Sequence, residues 1–428
     1  MNDFRISRIM QSRTSISLTD DEQTCFNIIN NIVDGIENRS DNRRSAIVIM
    51  AVGGWVRDKL LGRKSKDIDM VVSLSAFDKL ENKLLQFTPV KRLEEIAQGM
   101  DVLRFDLETI EFDIRGLETD SIEDDIKTRD FSINSIYYDI RKSFIVDPKG
   151  FISDISHKIL RGCQDLPSVF HDKNRYARYC RLMHAMDLTP TDELKKFVMD
   201  TCYKRWQQQS QKRELRRLAV ELKKALTSDK MEKILTEMAD VGVLSCFTGD
   251  MSKTKGLITY LVRVKKILSS ENWSSIKILY EVRRLQDSES DMGGTFYMLK
   301  MAVLFYFYRV KKNHKQSDPF IHSVSCFFDD DKSGKLEQEI LCLYNITEIK
   351  NIKDQRCAFD MYCRDTANKK PYLAVLSAAY IKDKPDCAAL MNSILTGFLE
   401  REKSKESSGS SYIDSRIKYL NEDQGFPF

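Results

Sequence analysis

The stretch AVGGWVRDKLLGRKSKDIDMVV, residues 51–72, constrains this chain more than any other. It overlaps a short apolar run, AIVIMAV at 46–52, which has the length and composition of a buried strand. Gly53-Gly54 ends that run, and residues 55–61 read as a helix starting directly after the glycines. Free backbone N–H groups and the positive end of the helix dipole then face one spot, which suits a phosphate. A second strand, DIDMVV, follows the loop. Side chains alternate along a strand, so Asp67 and Asp69 project to one side while Ile68 points into the core. Two neighbouring carboxylates beside a phosphate cradle are hard oxygen ligands suited to Mg²⁺. Two such ions about 3.5–4 Å apart stabilise both the attacking and the leaving oxygen of an in-line phosphoryl displacement. A strand with two aspartates is often just an exposed face, and Gly-Gly alone says little. The full order of strand, Gly-Gly, helix and D-x-D is what points to phosphate chemistry.

Within this stretch, GGWVRDKLLGRKSKDIDM (residues 53–70) resembles the first motif of the class II tRNA nucleotidyltransferases, the CCA-adding enzymes and their bacterial poly(A) polymerase relatives, in wording closest to eukaryotic-type members. The likeness continues in order through Arg181 and on to about residue 226. It implies an α+β fold: a catalytic head with a small mixed β-sheet at residues 1–160, a helical neck for base recognition and RNA binding at 161–226, and a helical body and tail at 227–428. It also implies Mg²⁺-dependent, untemplated transfer of CMP from CTP to the 3′-hydroxyl of tRNA, releasing pyrophosphate. ATP as a second donor stays open, and no protein partner is implied. Asp67 and Asp69 are the expected metal ligands, and Gly53, Gly54 and Arg57 the expected triphosphate cradle. Two rival readings remain, a template-independent poly(A) polymerase and a catalytically silent RNA-binding protein of the same fold.

With 428 residues, 42% hydrophobic and 31% charged, the chain reads as soluble, with room for two or three domains. The net charge of +4 does not announce nucleic acid, so the location of basic residues matters more. Ten cysteines without C-x-x-C spacing predict reduced thiols in an intracellular, cytoplasmic setting, with mitochondrion and nucleus open, and no zinc site. No apolar run reaches the ~18 residues of a membrane helix. Residues 1–17, with three arginines, four serines and one acid, read as a short disordered extension and also resemble a mitochondrial presequence.

Thr19-Asp20-Asp21-Glu22 has the capping-box pattern and predicts a helix to about residue 36. A helix is expected over 73–87, and strands over 102–107, 110–114 and 144–147. Alternation in EFDIR sets Glu111, Asp113 and Arg115 on one face, and the family keeps an acid at the position matching Asp113, the expected third catalytic carboxylate. TRDFSINSIYYDI (128–140) is similar to the family's R-R-D-x-x-x-N motif, with Thr128 in place of the first arginine. The resemblance implies ribose contacts for Asp130 and Asn134 and a triphosphate contact for Arg129, in keeping with carboxylate or amide acceptors for hydroxyls and a guanidinium for phosphate.

FHDKNRYARYCRLMHAMDL (170–188) resembles the E-D-x-x-R motif, matching at Asp172 and Arg175 but with His171 where the family has Glu. In the family these two side chains read the edge of the incoming base, a carboxylate accepting from an exocyclic amine and a guanidinium donating to ring or carbonyl acceptors. Arg178 and Arg181 continue the basic row, Arg178 being a further nucleotide-binding candidate. His171-Asp172 with His157 and Asp187 also allows an HD phosphohydrolase reading, which the surroundings disfavour. The stretch 329–340 begins like a calcium loop but carries Ile340 where a bidentate Glu belongs, and reads as a surface turn.

Between 201 and 227 lie eight basic residues against two acids, and RRLAVELKKAL resembles the family's last helical motif. Lys212, Arg213, Arg216 and Arg217 are the candidate RNA contacts, a solvated helix being the competing reading. Apolar helices are expected over 257–268, 298–310 and 372–381, and a flexible tail over 400–411. Finally, only thirteen residues separate Arg115 from Arg129, where CCA-adding relatives carry a longer flexible segment. In the family that segment helps the site switch from CTP to ATP, so the expected product is CC. The competing expectation is that a loop at 86–98 does the repositioning instead.

Overall fold

The computed structural model describes residues 11–12, 16–38, 47–65, 67–97, 100–117, 121–208 and 212–244, with isolated positions from 255 to 262. Of the expected helix at 257–268 only positions 258, 259, 261 and 262 are described, all of them helical; the expected helices at 298–310 and 372–381, the surface turn at 329–340, the tail at 400–411 and most of the N-terminal extension lie outside the described residues. Those described fall into two compact units: one holds the chain up to Arg175 together with Met186–Asp200, and the other holds Tyr176–Ala185 and the chain from Thr201 on.

The first unit is built on one mixed sheet. Its strands are β1 (Gln11–Ser12), β2 (Ile49–Val52), β3 (Asp67–Ser73), β4 (Val90–Ala97), β5 (Met100–Leu107), β6 (Ile110–Leu117), β7 (Tyr137–Asp139) and β8 (Phe144–Val146). They lie in the order β1-β8-β7-β2-β3-β6-β5-β4. Every pairing is antiparallel except β3 with β6, so this one parallel contact joins the two halves of the sheet. The sheet is mixed, as expected, but with eight strands it is not small. The segment at 86–98 is largely strand β4, not a loop. Its sequence, VKRLEEIA, is charged enough to read as a connection, yet charge is what an edge strand tolerates, and β4 is an edge.

Helix α1 (Asp20–Glu37) begins at the expected capping box: the Glu22 amide donates to Thr19 Oγ1 at 3.3 Å and the Thr19 amide to Glu22 Oε2 at 2.7 Å. Glu22 is buried because it also accepts from the Trp55 indole at 2.9 Å and pairs with Lys59, both on α2 (Gly54–Leu60). Burial alone would raise the Glu22 carboxyl, but Lys59 and the donors at Thr19 and Trp55 outweigh it and hold the carboxyl below the usual range. Phe26, Trp55, Phe112 and Tyr138 meet behind this joint, with Phe26 edge-on to Trp55 at 5.5 Å. Thus α2, which follows the Gly-Gly pair, is fixed by an ion pair on one side and by aromatic packing on the other.

Helix α3 (Leu74–Leu84) follows β3, α4 (Ile122–Thr128) follows β6, and a 3₁₀ turn at Ser132–Asn134 leads into β7. Then come α5 (Ile152–Ser156), β9 (Ile159–Leu160), α6 (Leu166–Val169), α7 (Asn174–Ala185), β10 (Thr189–Pro190) and α8 (Asp192–Gln207). The two-residue pairing of β10 with β9 is a strand contact beyond residue 188 where only helices were expected. In the second unit, α9 (Lys212–Thr227) and α10 (Met231–Asp240) pack with the middle of α7, as Leu182, Leu218, Leu222 and Ile234 are all buried.

Candidate active site

The D-x-D strand sits where the sheet changes direction. Because β3 and β6 are parallel and in register, Asp67 lies beside Glu111 and Asp69 beside Asp113, four carboxylates on one sheet face, with Ile68 and Phe112 buried on the other. Asp67 and Asp69 are exposed while Met70, Val71 and Val72 are buried, so the pair forms the outer end of an otherwise core strand. Gly53 closes against it. This glycine has φ +83, and a Cβ there would come 2.9 Å from Asp69 Oδ2, so a side chain would strain the backbone and displace the Asp69 carboxylate.

The expected third carboxylate, Asp113, is paired within the sheet. Arg104 on β5 grips Asp113 at both oxygens, Nε to Oδ1 at 2.8 Å and Nη2 to Oδ2 at 2.6 Å, whereas its nearest approach to Glu111 is 3.7 Å. Asp113 is therefore neutralised by a bidentate partner, the strongest form of carboxylate pairing. Glu111 has no such partner. Burial, opposed by Arg104 but reinforced by Asp113 and Asp67, pushes its carboxyl above the usual range. Both acids were visible as one face of EFDIR; the spacing alone did not distinguish them, because the arginine that pairs with Asp113 sits on another strand.

Among the described residues no group of three His, Cys, Asp or Glu is disposed to hold a metal. That includes the HD set: His157 binds the Ser153 carbonyl at 2.8 Å through Nδ1, and His171 is exposed. The paired aspartates still fit a divalent cation by chemistry, being adjacent, exposed hard-oxygen donors.

Arg57, Asp130 and Asn134, far apart in sequence, converge. Arg57 Nη1 donates to Asn134 Oδ1 at 2.6 Å, and Asn134 Nδ2 donates to Asp130 Oδ1 at 3.2 Å. Arg57 is held from behind by Asp58 at 2.8 Å, and Gly54 leaves room for it, since a Cβ there would lie 3.4 Å from Arg57 Nη2. Buried Asp130 also accepts from the Phe131 amide at 2.6 Å, so its orientation is fixed by the main chain.

Arg129 is engaged differently from its neighbours in the motif. Its Nε donates to Asp125 Oδ2 at 2.7 Å and to Tyr137 Oη at 3.0 Å, its guanidinium lies 5.2 Å from the Tyr137 ring centroid, and its Nη2 is buried without a hydrogen-bond partner among the described residues. Asp172 accepts from the Asn174 amide at 3.0 Å and from Asn174 Nδ2 at 3.1 Å. The Arg175 guanidinium donates to three main-chain carbonyls, those of Thr128 at 2.7 Å, Arg129 at 3.1 Å and Val169 at 3.0 Å. The base-reading candidate is thus strapped to the backbone of the ribose motif.

Arg178 belongs to the second unit. There its Nε donates to Glu221 Oε1 at 2.8 Å, and Arg181 Nε donates to Oε2 at 2.7 Å. Burial would raise Glu221, but the two arginines outweigh it and hold its carboxyl down at about 2. Lys212, Arg213 and Arg216 lie on α9, though their side chains fall outside the described residues; Arg217 on the same helix is half-buried.

A sheet presenting paired aspartates beside a Gly-Gly turn, together with an arginine, asparagine and aspartate cluster, is the arrangement expected of a nucleotidyltransferase-type head. Comparison with known families agrees, and residues 49–161 match the family described as the poly A polymerase head domain. Among curated proteins, the chain is 24% identical over 185 residues to the mitochondrial CCA tRNA nucleotidyltransferase of Saccharomyces cerevisiae, covering 36% of this chain and 34% of that one. It is 27% identical over 171 residues to a CC-adding tRNA nucleotidyltransferase of Halalkalibacterium halodurans, covering 40% and 44%. The matches therefore span less than half the length of these relatives. A solved CCA-adding enzyme in complex with CTP has the same fold, with a TM-score of 0.61 at 18% identity over 96% of this chain and 95% of that one.

Proposed function

We propose that this protein transfers CMP from CTP to the 3′-hydroxyl of tRNA without a nucleic-acid template, releasing pyrophosphate. The observation that carries the reading is the in-register placement of Asp67 and Asp69 beside Glu111 and Asp113, against a glycine whose left-handed backbone disfavours a side chain. Residues 1–160 serve as the catalytic head, 161–226 as the base-reading and RNA-binding neck, and 227–428 as the helical body. Asp67 and Asp69 would hold Mg²⁺, which when bound supplies charge stabilisation to the attacking and leaving oxygens. Glu111, its carboxyl raised by burial and by its acidic neighbours, is positioned to take the proton of the incoming hydroxyl. Asp113, the expected third carboxylate, shares this face, and Arg104 offsets its charge. Gly53 and Gly54 let the triphosphate approach the backbone. Arg57 stands ready to meet it, and the Asp130 and Asn134 pair meets the ribose. Arg129 is the further triphosphate contact and Arg178 a further nucleotide contact, Asp172 and Arg175 read the base, and Lys212, Arg213, Arg216 and Arg217 contribute positive charge toward RNA.

The reaction stops at CC in this reading. Of the thirteen residues between Arg115 and Arg129, Gly116 and Leu117 finish β6 and residues 122–128 form α4, which leaves no long flexible segment to re-aim the base readers between nucleotides. The protein works inside the cell, where its thiols stay reduced. Purified protein incubated with tRNA lacking its 3′ end and each labelled triphosphate in turn tests the donor choice. Strong incorporation from CTP is expected; incorporation from ATP alone would indicate a poly(A) polymerase, and none from any donor a silent RNA-binding protein.

A further inference from the structure

One buried charge cluster in the head has no place in the chemistry above. Asp125, in the middle of α4, has a carboxylate side chain only 2% exposed, and three donors reach it: Arg115 from β6, Arg129 Nε at 2.7 Å and the Tyr137 hydroxyl at 2.6 Å. Burial opposes its ionisation, but Arg129 and Arg115 outweigh burial and hold the carboxyl below the ordinary range. A buried carboxylate shared by two guanidiniums costs desolvation and contributes little net stability, but it fixes orientation strongly. What it fixes here is specific. Thr128 Oγ1 donates to the Asp125 carbonyl at 2.7 Å, and the side chain of the next residue, Arg129, is clamped by the Asp125 carboxylate. The main-chain oxygens of those same two residues are two of the three that hold the Arg175 guanidinium, at 2.7 and 3.1 Å, the third being that of Val169 at 3.0 Å.

We propose that Asp125 is a positioning residue for nucleotide choice: it locks the Thr128-Arg129 backbone, and that backbone fixes the Arg175 guanidinium in one base-reading pose. The inference rests on the reading of Arg175 as a base reader. It places the rigidity expected of the shortened segment in a particular side chain, reached through β6 on one side and β7 on the other.

The test gives full-length wild type, Asp125→Asn, Asp125→Glu, Arg175→Lys and the Asp125→Asn/Arg175→Lys double variant tRNA lacking its 3′ end, with CTP or UTP, and measures kcat and KM for each. Asp125→Asn should lower the CTP to UTP ratio of kcat/KM about tenfold, chiefly through a higher KM for CTP, and Asp125→Glu should recover part of the ratio. The double variant should show the ratio of Arg175→Lys alone, because both changes act through one guanidinium. An unchanged ratio in Asp125→Asn, or losses that multiply in the double variant, would overturn the proposal. Should Asp125→Asn fail to fold, Tyr137→Phe removes one donor to the same carboxylate at nearly constant volume; a smaller fall in the ratio supports the proposal and an unchanged ratio overturns it. A wild type that adds no nucleotide at all sinks the functional reading and this inference together, whereas wild-type addition with an unmoved ratio sinks the inference alone.

Discussion

The head holds its acids in two contrasting ways. On the β3 and β6 face, Asp67, Asp69, Glu111 and Asp113 stand side by side at the sheet surface with one bidentate arginine among the four. A few residues on, Asp125 is buried among Arg115, Arg129 and Tyr137. Like charges crowded at a surface are unfavourable unless something positive joins them, so the first arrangement makes sense as a ligand site. The second is already balanced and leaves nothing for a ligand; its use is to fix geometry. The difference teaches that acidity alone does not mark a catalytic carboxylate.

That comparison can be broken from several directions. Asp67→Ala or Asp69→Ala should abolish nucleotide addition, by about 10³-fold or more, while thermal melting and tRNA binding stay near wild type, since exposed carboxylates are lost without removing core volume. Substantial turnover in either variant would contradict the ligand-site reading. Next in size, Glu111→Gln should lower kcat by about 10²-fold with little change in KM, and Asp113→Asn should cost clearly less. The reverse order would make Asp113 the active third carboxylate and its pairing with Arg104 a resting state.

Gly53→Ala forces a side chain into a left-handed backbone conformation and to 2.9 Å from Asp69 Oδ2. Its cost of about 1–2 kcal/mol in stability should come with a rise in KM for the triphosphate. A variant with wild-type melting and KM would show that the turn has room to spare.

The smallest expected effect concerns the second unit, where Glu221 is a buried, balanced acid like Asp125. Its carboxyl titrates at about 2 in the fold against 4.5 for an unperturbed glutamate. The ionised form therefore adds stability that is present above pH 4.5 and is lost as the pH falls toward 2. Glu221→Gln should melt lower than wild type at pH 7, and the gap should narrow across that acid window. A gap independent of pH would mean the pairing with Arg178 and Arg181 contributes packing and not charge.

Much of this was legible in the sequence. The D-x-D spacing put two carboxylates on one face, the Thr19 to Glu22 spacing gave the helix start, and EFDIR gave the face that meets Asp67 and Asp69, because each is a local periodicity that burial enforces. The rest depends on partners distant in sequence. Asp124 and Asp125 are identical and adjacent, yet the first side chain is 44% exposed and the second 2%, since only Asp125 turns toward Arg115 and Arg129. Glu111 and Asp113 share a face, and only the position of Arg104 on β5 distinguishes them. Glu221 reads as one acid in a basic helix until α7 brings two arginines to it. Strand β4 was hidden by its own charge. Nothing in a single sequence carries these pairings.

The most direct test of the account is the sequence of the product ends. tRNA lacking its 3′ terminus, incubated with this protein, CTP and ATP together and recovered for 3′-end sequencing, should end in CC, because α4 fills the segment that would have to move for the switch to ATP. Efficient formation of CCA ends by this protein alone would contradict it.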